Sequence, residues 1–314
     1  MPTTANAGTP TSSPLYFDRQ QTAALIDFAD LVGTLRATAI DKLHGRIHNP
    51  ERISVPLQGD GISLSMPASA ADICINKLVN VQPANAQRGI STVQGVVAVF
   101  DVQTGELIML LDCQEVTGRR TAGISLLAIQ TFVRPELKQA LLIGTGSQAA
   151  YHVAGLRALY PACEILVRGQ SRAKEEAFCN AQPPGGAIKP CPATIPESVQ
   201  VVIALTTSKE VVYDETPRPG RLVIGVGAFT PEMAEIGART LQSDIYADEV
   251  EGAKHEAGDL LRANIDWARV HPLAQALEAE AVHGPVVVKS VGTAAWDLAA
   301  ARVALASLRK QSAS

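Results

Sequence analysis

Between Asp18 and Leu43 apolar residues recur at helical spacing, with Leu25, Phe28, Ala29, Leu31, Val32 and Leu35 on one stripe. That pattern predicts one or two amphipathic helices. After His48-Asn49-Pro50 the period falls to two. Ile53 to Leu57 and Gly61 to Met66 alternate like strands about a Gly59-Asp60-Gly61 turn, and further strands are predicted at Ile73 to Val79, Val93 to Asp101 and Glu106 to Asp112. Gln103-Thr104-Gly105 supplies a hairpin between the last two. The N-terminal part therefore reads as antiparallel sheet.

From Thr117 to Phe132 the spacing returns to that of a helix, with Ile124, Leu127, Ala128 and Thr131 on one face. Beyond it short apolar runs alternate with helix-like or loop segments. Leu141–Ile143, Ile165–Val167, Val201–Leu205, Leu222–Ile224 and Asp244–Ala247 are such runs, and Pro285 to Val288 is a candidate last strand. This alternation predicts a parallel, doubly wound sheet. Gln182 to Pro192, with its Pro-Pro-Gly-Gly, reads as a loop, and Ala294 to Leu308 as an alanine-rich helix after Gly292. The first fourteen residues, rich in Thr, Ser, Pro, Ala, Asn and Gly, lack the basic start and apolar core of a secretory signal and are expected to be a disordered tail.

Composition narrows the class. The 314 residues allow two domains, and 46% hydrophobic against 18% charged residues is a globular balance. A formal net charge of −4 gives no reason to expect nucleic acid, and no apolar run reaches membrane-span length. Cys74, Cys113, Cys163, Cys179 and Cys191 are odd in number and form no Cys-x-x-Cys pair, which points to buried thiols in a reducing, cytoplasmic compartment.

One motif carries chemistry. Leu141-Leu142-Ile143 ends in Gly144-Thr145-Gly146-Ser147-Gln148-Ala149, and a helix-like segment follows from Ser147 to Leu159. Strand, glycine turn and helix in that order make a dinucleotide-binding unit. Gly144 serves the tight turn, Gly146 lets backbone approach a pyrophosphate, and Ala149 lets the helix pack closely. The second strand ends in Val167-Arg168-Gly169-Gln170-Ser171-Arg172, with arginine where NAD-binding proteins usually place an acid. An arginine there suits a 2′-phosphate, so NADPH is expected, with NADH a weaker possibility. The competing reading is that Arg168 and Arg172 cap a solvated turn. Gly144, Thr145, Gly146, Gln148, Ala149, Arg168, Ser171, Arg172, Thr206 and Val226 form the expected cofactor set.

Four further blocks identify a family. They are Asn49-Pro50-Glu51-Arg52 with Met66-Pro67; Lys77-Leu78-Val79-Asn80 with Pro83, Asn85 and Gly89; Val116 to Gly123; and Val288 to Asp297. In their order, with the Gly144 loop between the third and fourth, the chain resembles the ornithine cyclodeaminase/mu-crystallin family of NAD(P)-dependent proteins over Leu15 to Ala306. The resemblance implies an α/β protein whose Rossmann-type doubly wound parallel sheet, residues 119–288, is inserted into an α+β substrate and dimerisation domain of residues 15–118 and 289–314. It also implies a homodimer with packed sheets.

The family carries a substrate carboxylate on positions matching Arg52, Lys77 and Arg120. Their plainer readings are an exposed turn residue, an edge-strand charge with a snorkelling stem, and a structural salt bridge. Thr121 and Ser290 are candidate neutral hydrogen-bond donors to substrate, or helix caps. In the cyclodeaminase branch an aspartate in the loop after the fourth strand contacts the substrate amine; here Phe229 falls at that position. A phenyl ring suits the apolar face of a small ring. The resemblance thus implies an NADPH-dependent ketimine reductase acting on Δ1-pyrroline-2-carboxylate or Δ1-piperideine-2-carboxylate, with Lys77 and Arg120 as catalytic residues and Lys77 managing the proton. The alternatives are another family enzyme (an alanine dehydrogenase, an opine-type reductase or a cyclodeaminase) and a non-catalytic NADPH-dependent binding protein. Asp297 is expected to meet the substrate amine or Lys289, or to be structural. His255-Glu256 reads as a helix end, and Tyr151 and His152 as packing. His44 and His48 lack an evident third ligand, so no metal is expected.

Overall fold

Side-chain alternation along the strands sets how the layers stack. The computed structural model of the chain describes residues 13–133, 136–279 and 284–312; the expected tail lies outside the described residues up to position 12. The chain opens with β1 (Leu15–Tyr16), α1 (Arg19–Leu25) and α2 (Phe28–Leu43). Asp18 and Gln21 form a reciprocal capping box on α1, and Asp27 accepts from the N–H groups of Ala29 and Asp30 to start α2. Then come β2 (Ile53–Pro56), β3 (Ile62–Ser69), β4 (Ile73–Val81), β5 (Val93–Asp101) and β6 (Leu107–Asp112), in a sheet ordered β1-β6-β5-β4-β3-β2. All its pairs are antiparallel except β1 with β6.

α3 (Cys113–Phe132) begins four residues before the predicted start, because Asp112 at the end of β6 accepts from the Glu115 N–H and caps the helix at once. The second sheet follows through β7 (Gln139–Ile143), α4 (Ser147–Leu159), β8 (Glu164–Arg168), α5 (Arg172–Ala181), β9 (Ile188–Pro190), β10 (Val201–Ala204) and β11 (Leu222–Gly225). It is completed by β12 (Asp244–Ala247), α6 (Val250–Glu256), α7 (Gly258–Arg262), β13 (Val270–Pro272), α8 (Leu273–Glu278) and β14 (Val286–Lys289), before α9 (Ala294–Ser312). The order is β13-β12-β14-β11-β10-β7-β8-β9, and every pair is parallel. β9 corrects the expected loop over Gln182 to Pro192: it is an edge strand, where Pro190 is tolerated because its missing N–H faces no neighbour.

Residues of the parallel strands alternate between two cores. Ala140, Leu142, Val201, Ile203, Ile224 and Val288 face α2, α3 and α9, in a core continuous with Ile75, Val79, Val97 and Val99 of the first sheet. Leu141, Ile143, Val202, Ala204, Val223 and Val287 face the opposite way, onto Ala253, Ala257 and Leu260. The chain reverses direction across the sheet between β7 and β10, so a crevice opens at their C-terminal ends. Among the described residues no helix is long and apolar enough to cross a membrane.

His152 and Tyr151 take the packing roles expected of them. His152 is buried in α4, its Nδ1 2.8 Å from the Gln148 carbonyl and its Nε2 2.9 Å from Ser125 Oγ. The carbonyl requires a proton on Nδ1, and burial keeps the ring neutral at pH 7, so Nε2 is bare and Ser125 donates to it. Burial pushes its pKa down to about 4 from 6.5. As pH falls from 6.5 towards 4 the unfolded chain takes up a proton that the fold refuses, so stability is lost across that window. The loss should be about 3 kcal/mol. Chemical denaturation of the His152→Gln variant at pH 7 and pH 4 should show a correspondingly smaller difference than wild type; an equal difference would contradict this assignment.

Candidate active site

At the switch point the glycine loop has the geometry of a phosphate cradle. Gly144 has φ +126°, and a Cβ there would stand 2.7 Å from the Leu205 carbonyl oxygen, so only glycine fits. A Cβ on Gly146 would meet nothing within 4 Å, which leaves its backbone open to approach. Gly146 is the N-cap of α4 and no side chain caps that helix, so its first N–H groups face the crevice for an anion. Gln148 Oε1 is buried without a hydrogen-bond partner among the described residues. These features fit a dinucleotide. Ala149 is fully buried, as close packing of α4 requires.

The 2′-phosphate reader expected at Arg168 is partly committed. Its Nη2 donates to the carbonyls of Pro192 and Ala193 at 2.8 and 3.0 Å, which fixes the guanidinium against the segment after β9. Ser171 caps α5 through the Lys174 N–H, and Arg172 is exposed and paired with Glu176 at 3.0 Å.

Two carboxylates that sequence reasoning overlooked shape the other side of the crevice. Glu235 Oε1 accepts from Thr206 Oγ1 at 2.9 Å and from the Thr206 N–H, while its Oε2 accepts from the N–H groups of Gly227 and Ala228 at 2.6 and 3.0 Å. All its partners are donors, so the carboxylate is ionised although burial pushes its pKa up. Glu235 thereby clamps the turns after β10 and β11, which carry Thr206 and Val226. Asp259 accepts from the backbone N–H groups of Glu235 and Ile236 and pairs with Lys289 at 2.6 Å. Lys289 sits at the end of the Val-Val-Val run of β14, a position whose burial was the signal that a partner acid had to exist.

Two of the cations expected to hold substrate converge on one acid. Lys77 lies on the inward face of β4 with Ile73, Ile75 and Val79, in an interior strand, which excludes the edge-strand reading. Its Nζ stands 2.7 Å from Asp297 Oδ2, and Arg120 Nε stands 3.2 Å from Asp297 Oδ1. All three side chains are buried. Asp297 is thus not paired with Lys289, which belongs to Asp259; it takes a structural place between the two cations. Burial, together with the nearby Arg120, lowers the Lys77 pKa, while Asp297 opposes that fall. Burial also pushes the neighbouring Cys113 thiol up to about 11, so it remains protonated.

Arg120 keeps its outer nitrogens for other work. Its hydrogen bond to Asp297 runs through Nε, while the terminal fork lies against Gly292, where a Cβ would stand 2.4 Å from Nη1. Gly292 also has φ +79°, so that turn requires glycine twice over. Its loop is gathered by Asp248, which accepts from Ser290 Oγ at 2.8 Å, from the N–H groups of Val291 and Gly292 at 2.9 and 3.1 Å, and from Trp296 Nε1 at 3.1 Å. Ser290, expected to bind substrate, therefore gives its hydroxyl proton to Asp248.

Arg52 reaches the same turn from outside. Its Nη2 is 3.4 Å from the Gly292 carbonyl and 3.0 Å from Glu256 Oε2, so Glu256 at the end of α6 is a partner of Arg52 as well as a helix terminus. Arg52, Met66, Glu249, Glu256, Gly292 and Thr293 help line a cleft of about 460 Å³. Thr121 is buried beside Arg120 in sequence, and Phe229, on the loop after β11, is 47% exposed. The structure joins Arg52, Lys77 and Arg120 around residues 292–297; it ties neither Phe229 nor Ser290 to them by a hydrogen bond. Among the described residues no group of acids, histidines and cysteines is arranged to hold a metal ion, and His44 pairs with Glu278 instead.

Comparison with known proteins bears on the family and the fold. Residues 17–311 match the model of the ornithine cyclodeaminase/mu-crystallin family. Delta(1)-pyrroline-2-carboxylate reductase 2 of Burkholderia ambifaria is 49% identical over 293 residues, 92% of this chain and 94% of that protein. Delta(1)-pyrroline-2-carboxylate/Delta(1)-piperideine-2-carboxylate reductase of Azospirillum brasilense is 47% identical over 299 residues, 93% of this chain and 96% of that one. The structure of Thermococcus litoralis Delta(1)-pyrroline-2-carboxylate reductase, in complex with NADH and L-proline, shares the fold with a TM-score of 0.83 at 22% identity, covering 95% of this chain and 98% of the other. With its cradle, its buried cations and a match across nearly all of its length, the chain belongs to the ornithine cyclodeaminase/mu-crystallin family.

Proposed function

We propose that this chain reduces a cyclic imine carboxylate, Δ1-pyrroline-2-carboxylate or Δ1-piperideine-2-carboxylate, to L-proline or L-pipecolate with NADPH as preferred reductant and NADH as the weaker one. The observation that carries the reading is Asp297 holding Lys77 and Arg120 together, with the Arg120 fork turned to Gly292. One acid between two cations leaves this group with a single net positive charge, which suits one small carboxylate.

Gly144, Gly146 and the N-terminus of α4 would hold a reduced nicotinamide dinucleotide, which when bound would supply a hydride to the imine carbon. The chain supplies the rest. Arg120 presents Nη1 and Nη2 to the substrate carboxylate in the bidentate manner that fixes orientation. Lys77 Nζ holds the proton for the imine nitrogen. Its lowered pKa makes that proton easier to release, and solvent restores it after turnover. Arg52 adds charge at the cleft rim, Thr121 a hydroxyl, and Phe229 an apolar wall for the ring.

In this reading residues 15–118 and 289–314 handle the substrate, and residues 119–288 chiefly the cofactor. A homodimer would cover the outer face of the first sheet, where Ile53, Val55 and Leu78 are exposed. The free cysteines suit a reducing, cytoplasmic setting.

Purified protein should oxidise NADPH when offered either cyclic imine and not when offered L-ornithine. Oxidation with pyruvate plus ammonia but with neither imine would overturn the proposal in favour of an alanine dehydrogenase. Arg120→Met should raise KM for the imine by about two orders of magnitude while leaving the cofactor Kd unchanged, because Lys77 still neutralises Asp297. If cofactor binding weakens equally, Arg120 is structural.

A further inference from the structure

In dinucleotide-binding folds the residue at the end of the second strand decides what the adenosine ribose meets. An acid there accepts the 2′-OH, and a cation welcomes a 2′-phosphate. Residues 168–170 of this chain, Arg-Gly-Gln, contain no acid. α5 nevertheless returns one to that corner. Glu175 Oε1 accepts from the Gly169 N–H, the first backbone donor beyond β8, at 3.0 Å. Gly169 is flanked by Glu175 and by Thr145 of the glycine loop. A Cβ on Gly169 would stand 3.4 Å from Glu175 Cγ and 3.0 Å from Thr145 Cγ2.

This acid is weakly neutralised. Its nearest cation, Arg172, is 3.8 Å from Oε2, is 60% exposed, and makes its shorter pair with Glu176. Arg168, on the other side of the corner, spends Nη2 on the carbonyls of Pro192 and Ala193. An anion entering between the glycine loop and Gly169 would therefore meet a half-compensated carboxylate.

We infer that Glu175 sets the balance between NADH and NADPH: its carboxylate accepts the ribose 2′-OH of NADH and opposes the 2′-phosphate of NADPH. The inference rests on the reading of the glycine loop as a nicotinamide-dinucleotide site. It assigns the limit on NADPH preference to one acid supplied by a helix rather than by the strand end. Glu175→Gln keeps an oxygen for the Gly169 N–H and removes only the charge, so it isolates the electrostatic effect.

Fluorescence titration of wild type and Glu175→Gln with NADPH and NADH tests it without reference to turnover. The variant should bind NADPH about three- to tenfold more tightly without tightening NADH, so that the ratio of Kd for NADH to Kd for NADPH rises by that factor. An unchanged ratio, including equal weakening of both cofactors, would overturn the inference and leave Glu175 as loop support. Should the Gln variant fail to fold, Glu175→Ala read by the same titration decides the matter. Failure of the wild type to bind either cofactor would instead overturn the dinucleotide reading itself.

Discussion

The buried carboxylate of Asp297 is the constraint on which the rest of the site depends. Lys77 comes from a sheet, Arg120 from the second turn of α3, and nothing in their local sequence brings them together. Two cations this deeply buried would repel each other and suffer desolvation. One carboxylate with a cation on each oxygen makes the arrangement tenable. Removing one member of such a buried pair typically costs about 3–5 kcal/mol. The pairing is a source of geometry more than of stability. It aims the free end of Arg120 at the Gly292 turn and, against burial and Arg120, which lower the proton affinity of Lys77, supplies the carboxylate that raises it.

Asp297 can serve this purpose because of an unusual chain path. β14 enters the parallel sheet between β11 and β12, and the chain then leaves through residues 290–293 to join the first sheet as α9. Asp248 gathers that connection, Asp259 neutralises its last strand residue, and Glu235 fixes the neighbouring turns. Each of these acids accepts several bonds from backbone or buried donors. The parallel sheet and the helix that carries Asp297 are therefore joined by a few residues, held by buried acids rather than left as a free loop.

The strands and the glycine loop were readable in the sequence because their signals are local. A two-residue period, a hairpin Gly105 or a Gly144–Gly146 turn is set within a few positions. The candidate substrate cations emerged from block resemblance. The partners of those cations did not, since Asp297 and Arg120 are 177 residues apart and an aspartate in an alanine-rich helix gives no sign of which strand faces it. Glu235 and Asp259 escaped notice for the same reason. The early start of α3 was hidden because Asp112 ends a strand and caps a helix at once. The β9 strand was hidden by its proximity to Pro-Pro-Gly-Gly and by its own proline. Ser290 looked like a substrate donor in sequence, and only the fold reveals Asp248 beside it.

The most direct measurement of Asp297's role is the pH dependence of kcat for imine reduction by wild type and Asp297→Asn, alongside the cofactor Kd. Loss of the carboxylate removes the largest influence that raises the Lys77 pKa, so protonated Lys77 should persist only to lower pH. The alkaline limb of kcat should move to lower pH, with the cofactor Kd unchanged. A uniform loss of kcat at every pH, with the limb in place, would contradict the claim that Asp297 governs the proton on Lys77.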